Sequence, residues 1–272
     1  MALLLWLASC ALAMDVGVSP AWIDARIPPG AQRDFEVTVV NNGSRAYAFE
    51  ANLVDIILDP NTNDVIYRVD PTVTWSAESY VEVTPRVIAL EPNSTVKLTL
   101  TVTAPSEPEM VGGRYSALRV RTLSRDPEPG AQARLGLQFT VPLLFTIGRG
   151  ESHSIEVSAP PATAPQGAPV EVEVEVSNLG QTHERPVVLL ALRDPEGNVA
   201  STHQLRSERF ILPGQTRVIP VRWDPALPMG DYEVIGAVRY GSDSIPVASS
   251  LSIDAPVSTV TSESQAAPPS VE

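Results

Sequence analysis

Apolar residues in this chain recur at every second position, and that period admits strands and little else. Val170, Val172, Val174 and Val176 alternate with Glu171, Glu173 and Glu175. Phe35, Val37 and Val39, and later Leu98, Leu100 and Val102, alternate with polar neighbours in the same way. Successive side chains of a strand point to opposite faces, so each run describes a strand with one buried face and one wet face, as in an antiparallel sheet. The β-branched residues that fill many of these positions favour the same state. No convincing 3.6-residue period competes with it. The 26 prolines and 16 glycines are spread along the 272 residues, punctuating many short strands rather than marking one low-complexity tract. Asn42-Gly43 is expected to form a tight hairpin, with further reversals at Pro28-Pro29-Gly30, Glu91-Pro92-Asn93, Asp194-Pro195-Glu196-Gly197 and Pro213-Gly214.

An internal repeat argues for two domains. Gly30 followed by Phe35, Val37, Val39, Asn41 and Gly43 returns as Gly167 followed by Val172, Val174, Val176, Asn178 and Gly180. Leu90-Glu91-Pro92, leading into Leu98, Leu100 and Val102, returns as Leu212-Pro213-Gly214, leading into Ile219, Val221 and Trp223. Gly113-Arg114-Tyr115 then returns as Gly230-Asp231-Tyr232. The first copy carries extra sequence at about residues 55–85. The fold class expected is all-β, two tandem immunoglobulin-like β-sandwich domains at 15–149 and 150–254, followed by a disordered Ser/Pro/Ala/Glu tail over 255–272.

Residues 2–12 are almost wholly apolar and end at Ala11-Leu12-Ala13, which reads as a signal segment over 1–13 with a small-x-small cleavage signal. The basic residues of a signal n-region are missing: either the true start lies upstream of Met1, the favoured reading, or the segment is not an export signal. Cys10 is the only cysteine. Leu7-Ala8-Ser9-Cys10 resembles a bacterial lipobox, which would make Cys10 a lipidation site; an ordinary signal segment containing a cysteine explains the same residues. Without a cysteine, the mature domains depend on their cores alone. A net charge of −13 disfavours nucleic acid and simple adsorption to anionic lipid.

Leu135, Leu137, Phe139, Val141, Leu143, Phe145 and Ile147 alternate without a break, and Pro142 suits an edge strand. An apolar edge of this kind can bind a partner by strand addition, giving Leu137, Phe139, Val141, Leu143 and Phe145 as candidate protein-binding residues; a strand packed into its own core shows the same alternation. Arg114, Arg119, Arg121 and Arg125 form a local basic cluster, in which Arg119 and Arg121 share a strand face. They could grip a partner's carboxylate or form a solvated face. Asp59 to Asp64 superficially resembles the start of a calcium loop but lacks its glycine, so a hairpin is expected. His153, His183 and His203 sit in no metal-binding motif and read as surface residues. No nucleophile–base set or phosphate loop is recognisable, and neither enzyme activity, cofactor nor metal is expected.

The first domain resembles the N-terminal immunoglobulin-like domain of periplasmic pilus-assembly (PapD-like) chaperones. Val18-Ser19-Pro20 opens a first strand, Phe35 to Asn41 is a strand ending in Asn, Val83 to Pro92 is flanked by prolines, Arg114-Tyr115 starts a further strand, and Phe139 to Phe145 resembles the last one. A weaker similarity, at Pro29-Gly30, Asn41 and Ile66-Tyr67, is to exported proteins that accompany WxL surface proteins. The first resemblance implies a sandwich in the periplasm or at the cell surface. In pilus chaperones an Arg of the first strand and a Lys of the last hold the subunit's terminal carboxylate; here those places fall near Ala21 and near Leu143 or Leu144, and neither is basic. The expected function is a non-enzymatic cell-envelope protein that binds another exported protein, in a chaperone-like or surface-appendage assembly role. The alternative is a structural spacer or surface lipoprotein without chaperone activity, meeting the membrane only through a lipid anchor.

Overall fold

The computed structural model describes residues 15–59, 61–62, 64–107, 111–123, 136–148, 153–207, 209–223 and 227–255. The leader with Cys10, Arg125, Leu135 and the tail beyond residue 255 lie outside the described residues. The chain divides into two compact units, Met1–Ser154 with Gly180–His183, and Ile155–Leu179 with Glu184–Glu272.

The first unit contains β1 (Val16–Ser19), β2 (Ile23–Ile27), β3 (Gln32–Asn41), β4 (Tyr47–Leu58), β5 (Val65–Arg68), β6 (Val81–Thr84), β7 (Val87–Leu90), β8 (Ser94–Thr103), β9 (Gly112–Thr122) and β10 (Gln138–Ile147). One sheet runs β1-β3-β8-β6; the other runs β2-β10-β9-β4-β5, with β7 also paired to β4. The second unit contains β11 (Ile155–Ser158), β12 (Ala162–Pro165), β13 (Val170–Asn178), β14 (Val187–Arg193), β15 (Val199–Arg206), β16 (Thr216–Trp223), β17 (Gly230–Tyr240) and β18 (Asp243–Asp254). Its sheets run β11-β13-β16 and β12-β18-β17-β14-β15. The architecture is all-β, two immunoglobulin-like sandwiches in tandem.

Both sandwiches divide their first strand between the two sheets. β1 runs antiparallel to β3 and β2 parallel to β10; β11 runs antiparallel to β13 and β12 parallel to β18. Pro20 separates the first pair and Pro160-Pro161 the second. A proline cannot donate to a ladder, so pairing stops there and the chain is released to cross between sheets.

The alternation is explained by burial. Val170, Val172, Val174 and Val176 point into the second core while Glu171, Glu173 and Glu175 point out. In the first unit Val37, Val39, Leu98, Leu100 and Val102 meet Phe49, Leu118, Val120 and Phe145. Each such side chain, fully buried, contributes about 1.5–3 kcal/mol, which is how a cysteine-free sandwich can be stable.

The repeat has a hydrogen-bonding purpose. Asn41 ends β3 fully buried, and its Nδ2 donates to the carbonyls of Arg45 at 2.7 Å and Glu91 at 2.9 Å. Asn178 ends β13 equally buried, and its Nδ2 donates to the carbonyl of Ile211 at 2.8 Å. In each sandwich the strand-ending Asn therefore clamps the Leu/Pro turn that precedes the next strand of its sheet.

Two turns differ in character. Asn42-Gly43 is not a hairpin, because β3 and β4 belong to different sheets. Its glycine answers a close approach instead: a Cβ on Gly43 would lie 2.6 Å from that of Asp15, whose carbonyl accepts from the Asn42 N–H at 2.7 Å. The stretch from Asp59 to Asp64 does close the β4–β5 hairpin, with the Asp59 N–H donating to the Asp64 carbonyl at 2.8 Å. The N–H groups of Asn61 and Thr62 donate to Asp59 Oδ1 and hold its carboxyl below the usual range.

Candidate protein-binding edge

β10 lies between β9 and β2, but its two neighbours cover it unequally. β9 pairs with all of it, from Gln138 opposite Arg121 to Ile147 opposite Gly112. β2 pairs only from Leu143, opposite Ile23, to Ile147, opposite Ile27. Among the described residues Leu143–Ile147 is paired on both sides, and Gln138–Pro142, whose proline suits an edge, is paired on the β9 side alone.

That bare half is well anchored. The Leu137 N–H donates to Thr122 Oγ1 at 3.1 Å, and the Thr122 N–H donates to the Leu137 carbonyl at 2.9 Å. Pro142 sits opposite Ala117 of β9. It costs that ladder nothing if its nitrogen faces the other way, and in an antiparallel strand residues two apart share their direction. The N–H groups of Gln138 and Thr140 then point to the open side.

The side-chain assignment needs correcting. Val141, Leu143 and Phe145 are buried in their own core, and Leu137 and Phe139 pack against it half-exposed. Phe145 stacks near Phe35 at 5.7 Å and Phe139 near Phe49 at 6.5 Å. The apolar face thus fills its own sandwich, and what the bare half presents is backbone, together with the rims of Leu137 and Phe139. Sequence alternation could not separate the two cases, because each requires one apolar face.

Arg119 and Arg121 do share the outer face of β9, beside the bare half: Arg119 is opposite Thr140 and Arg121 opposite Gln138. On their other side each is tied to β4. Arg119 Nε donates to Asn52 Oδ1 at 3.2 Å, and Arg121 forms an ion pair with Glu50 at 2.9 Å. An exposed pair of this kind contributes about 0–1 kcal/mol, so the arginines make a polar border to the edge rather than a preformed carboxylate clamp. Leu143 and Leu144 are both buried, and Leu143 lies opposite Ile23 of β2.

The remaining candidates disperse. His183 is not a surface residue; its side chain is 7% exposed, its Nε2 lies 3.1 Å from Asp24 Oδ1, and its ring meets Tyr115 edge-on at 5.6 Å. His203 packs against Trp223 at 6.0 Å. Trp223 is a core residue, whereas Trp22 is 41% exposed. Among the described residues no group of three or more His, Cys, Asp or Glu could hold a metal, and no helix is long and apolar enough to cross a membrane.

The feature that sequence reasoning missed is the short reach of β2. Its signal was present in the alternation of Ile23, Ala25 and Ile27, but its parallel pairing with a strand over a hundred residues later left no local mark.

No protein-family model matches the chain, and no curated protein matches it. Several solved structures are similar. The class 5 fimbriae chaperone CfaA is 12% identical, with a TM-score of 0.47, over 86% of this chain and 98% of that one. A structure of the CsuC–CsuE chaperone–tip adhesion subunit pre-assembly complex, from archaic chaperone-usher Csu pili of Acinetobacter baumannii, is 13% identical, with a TM-score of 0.45, over 85% and 97%. The E. coli chaperone DraB is 12% identical, with a TM-score of 0.43, over 86% and 96%. At such low identity the fold assignment rests on this chain's own strand pairing.

Proposed function

We propose that this chain is a non-enzymatic, extracytoplasmic binding protein that holds another exported protein by strand addition along the bare half of β10, in a chaperone-like or surface-appendage assembly role. The observation that carries this reading is the unequal cover of β10: a partner strand laid against Gln138–Pro142 would continue the line of β2 and receive open backbone groups from a strand fixed by β9. Leu137 and Phe139 would give such a partner apolar contact, and Arg119 and Arg121 would border it. The apolar leader supports export. Neither Ala21 nor Leu143 and Leu144, near which the resemblance puts the carboxylate-binding pair, is basic, which favours recognition of the strand itself over capture of a chain terminus. Thr140→Pro tests this, since it removes one open-side donor without costing the β9 ladder. Tagged protein should lose its partner from envelope fractions while keeping its unfolding midpoint. Retention of the same partner by the variant would overturn the reading.

A further inference from the structure

Among the described residues the second sandwich has no counterpart of β6. In the first unit β8 is flanked by β3 on one side and β6 on the other. Its counterpart β16 pairs, among the described residues, with β13 alone. The cause is length. In the first unit the chain has room between β5 and β7 to lay down β6. In the second it passes from Arg206, the end of β15, to Ile211, which is bridged to Glu184, with only Ser207 to Phe210 between. β15 and β16 are therefore left facing each other across an open side of the sandwich.

That opening is a cavity of about 580 Å³ with a charge opposite to that of the chain. Arg206, Arg209, Arg217 and Arg222 line it, with Leu205 and Ile219 at its base, and no acidic residue is among its lining. The protein as a whole carries −13. Arg222 is joined to Glu171, whereas among the described residues Arg206 and Arg209 form no ion pair. With Glu171 set against Arg222, the described lining is still positive.

We propose that this groove is a second docking site, which takes a short acidic extended segment of a partner protein as an added strand against β16. Pro220 is opposite Glu173 and spares that ladder when its nitrogen faces the open side, which is then shared by the N–H groups of Val218 and Arg222. Leu205 and Ile219, which line the groove, would meet the apolar face of the segment. The first sandwich shows the pattern that such a segment needs: in β6, Val81 and Val83 are buried against Leu100 and Val102 while Glu82 points out. Charge on an edge strand normally deters pairing. A border of arginines deters basic strands, and its charge is complementary to that of acidic ones.

The test uses the full chain and a fluorescein-labelled peptide of alternating valine and glutamate, with a valine–lysine peptide as control. The acidic peptide should bind, with amide shift changes at Val218 and Arg222. The double substitution Arg206→Glu/Arg209→Glu should weaken it roughly tenfold or more. Both side chains are exposed, so the variant should keep its circular dichroism and unfolding midpoint. Val218→Pro, which removes an open-side donor, should weaken binding in the same way. Equal binding of the lysine peptide, binding that both variants retain, or equal binding of a DNA oligonucleotide of matching charge would overturn the proposal. So would self-association of the chain that the double substitution abolishes, since the occupant would then be a second copy.

Discussion

At the scale of single residues, two buried asparagines explain why the repeat is legible at all. Asn41 and Asn178 end equivalent strands, and each donates to a carbonyl of the turn that enters the next strand of its sheet. Replacing either with Ala removes the buried donor and leaves its turn carbonyl, part-buried at Glu91 and buried at Ile211, without that partner, at a cost of about 1–3 kcal/mol. Denaturant unfolding of Asn41→Ala and Asn178→Ala should show losses of that size. Asp70 provides a pH-dependent counterpart. The Thr72 hydroxyl, then the Thr72 N–H and Arg68, hold its carboxyl below the usual range. A carboxyl lowered by folding contributes stability that is present above its unfolded pKa and lost as pH falls through its folded pKa. Thr72→Ala should therefore raise the Asp70 pKa, as read by carboxyl carbon shifts during an acid titration, and should lower stability at neutral pH while leaving it unchanged in acid below both pKa values.

At the scale of elements, β10 separates what a sequence can show from what it cannot. Its existence and its apolar face followed from Leu137 to Ile147, and the alternation of Val170 to Val176 placed β13 as readily. Which neighbour covers each strand did not follow, because pairing between distant strands is set by the whole sandwich. For that reason Asn42-Gly43 read as a hairpin when β3 and β4 part to different sheets. For that reason too, Leu143 and Phe145 read as candidates for a partner when they fill their own core. The two proposed edges, of β10 and β16, are both negative features among the described residues, defined by where β2 stops and by the absence of a counterpart to β6. The two faces of β10 predict opposite phenotypes. Leu143→Ala should cost about 2–5 kcal/mol of stability through cavity formation. Thr140→Pro should leave stability nearly unchanged and remove partner binding. Paired unfolding and pull-down measurements check this contrast; loss of binding from both variants in proportion to lost stability would contradict it.

At the scale of the whole molecule, two sandwiches of matching topology rest on separate apolar clusters that share no residue. Leu192→Ala should lower the unfolding transition reported by Trp223, which lies in the second cluster, by about 2–5 kcal/mol. Leu100→Ala should act on the transition of the first cluster. The chain as a whole is strongly acidic, so salt should affect its two proposed edges differently. The β10 edge relies on backbone and apolar contact, and the β16 groove on arginine charge. The proposal with the widest consequence for the molecule is an open strand edge, kept for a partner, along the first half of β10. Residue-resolved amide hydrogen exchange tests it most directly. In the free protein Gln138 and Thr140 should exchange much faster than Leu144 and Thr146, and binding of the partner should slow the first two. Protection of Gln138 and Thr140 already in the free chain, or exchange there that the bound partner leaves unchanged, would contradict the account.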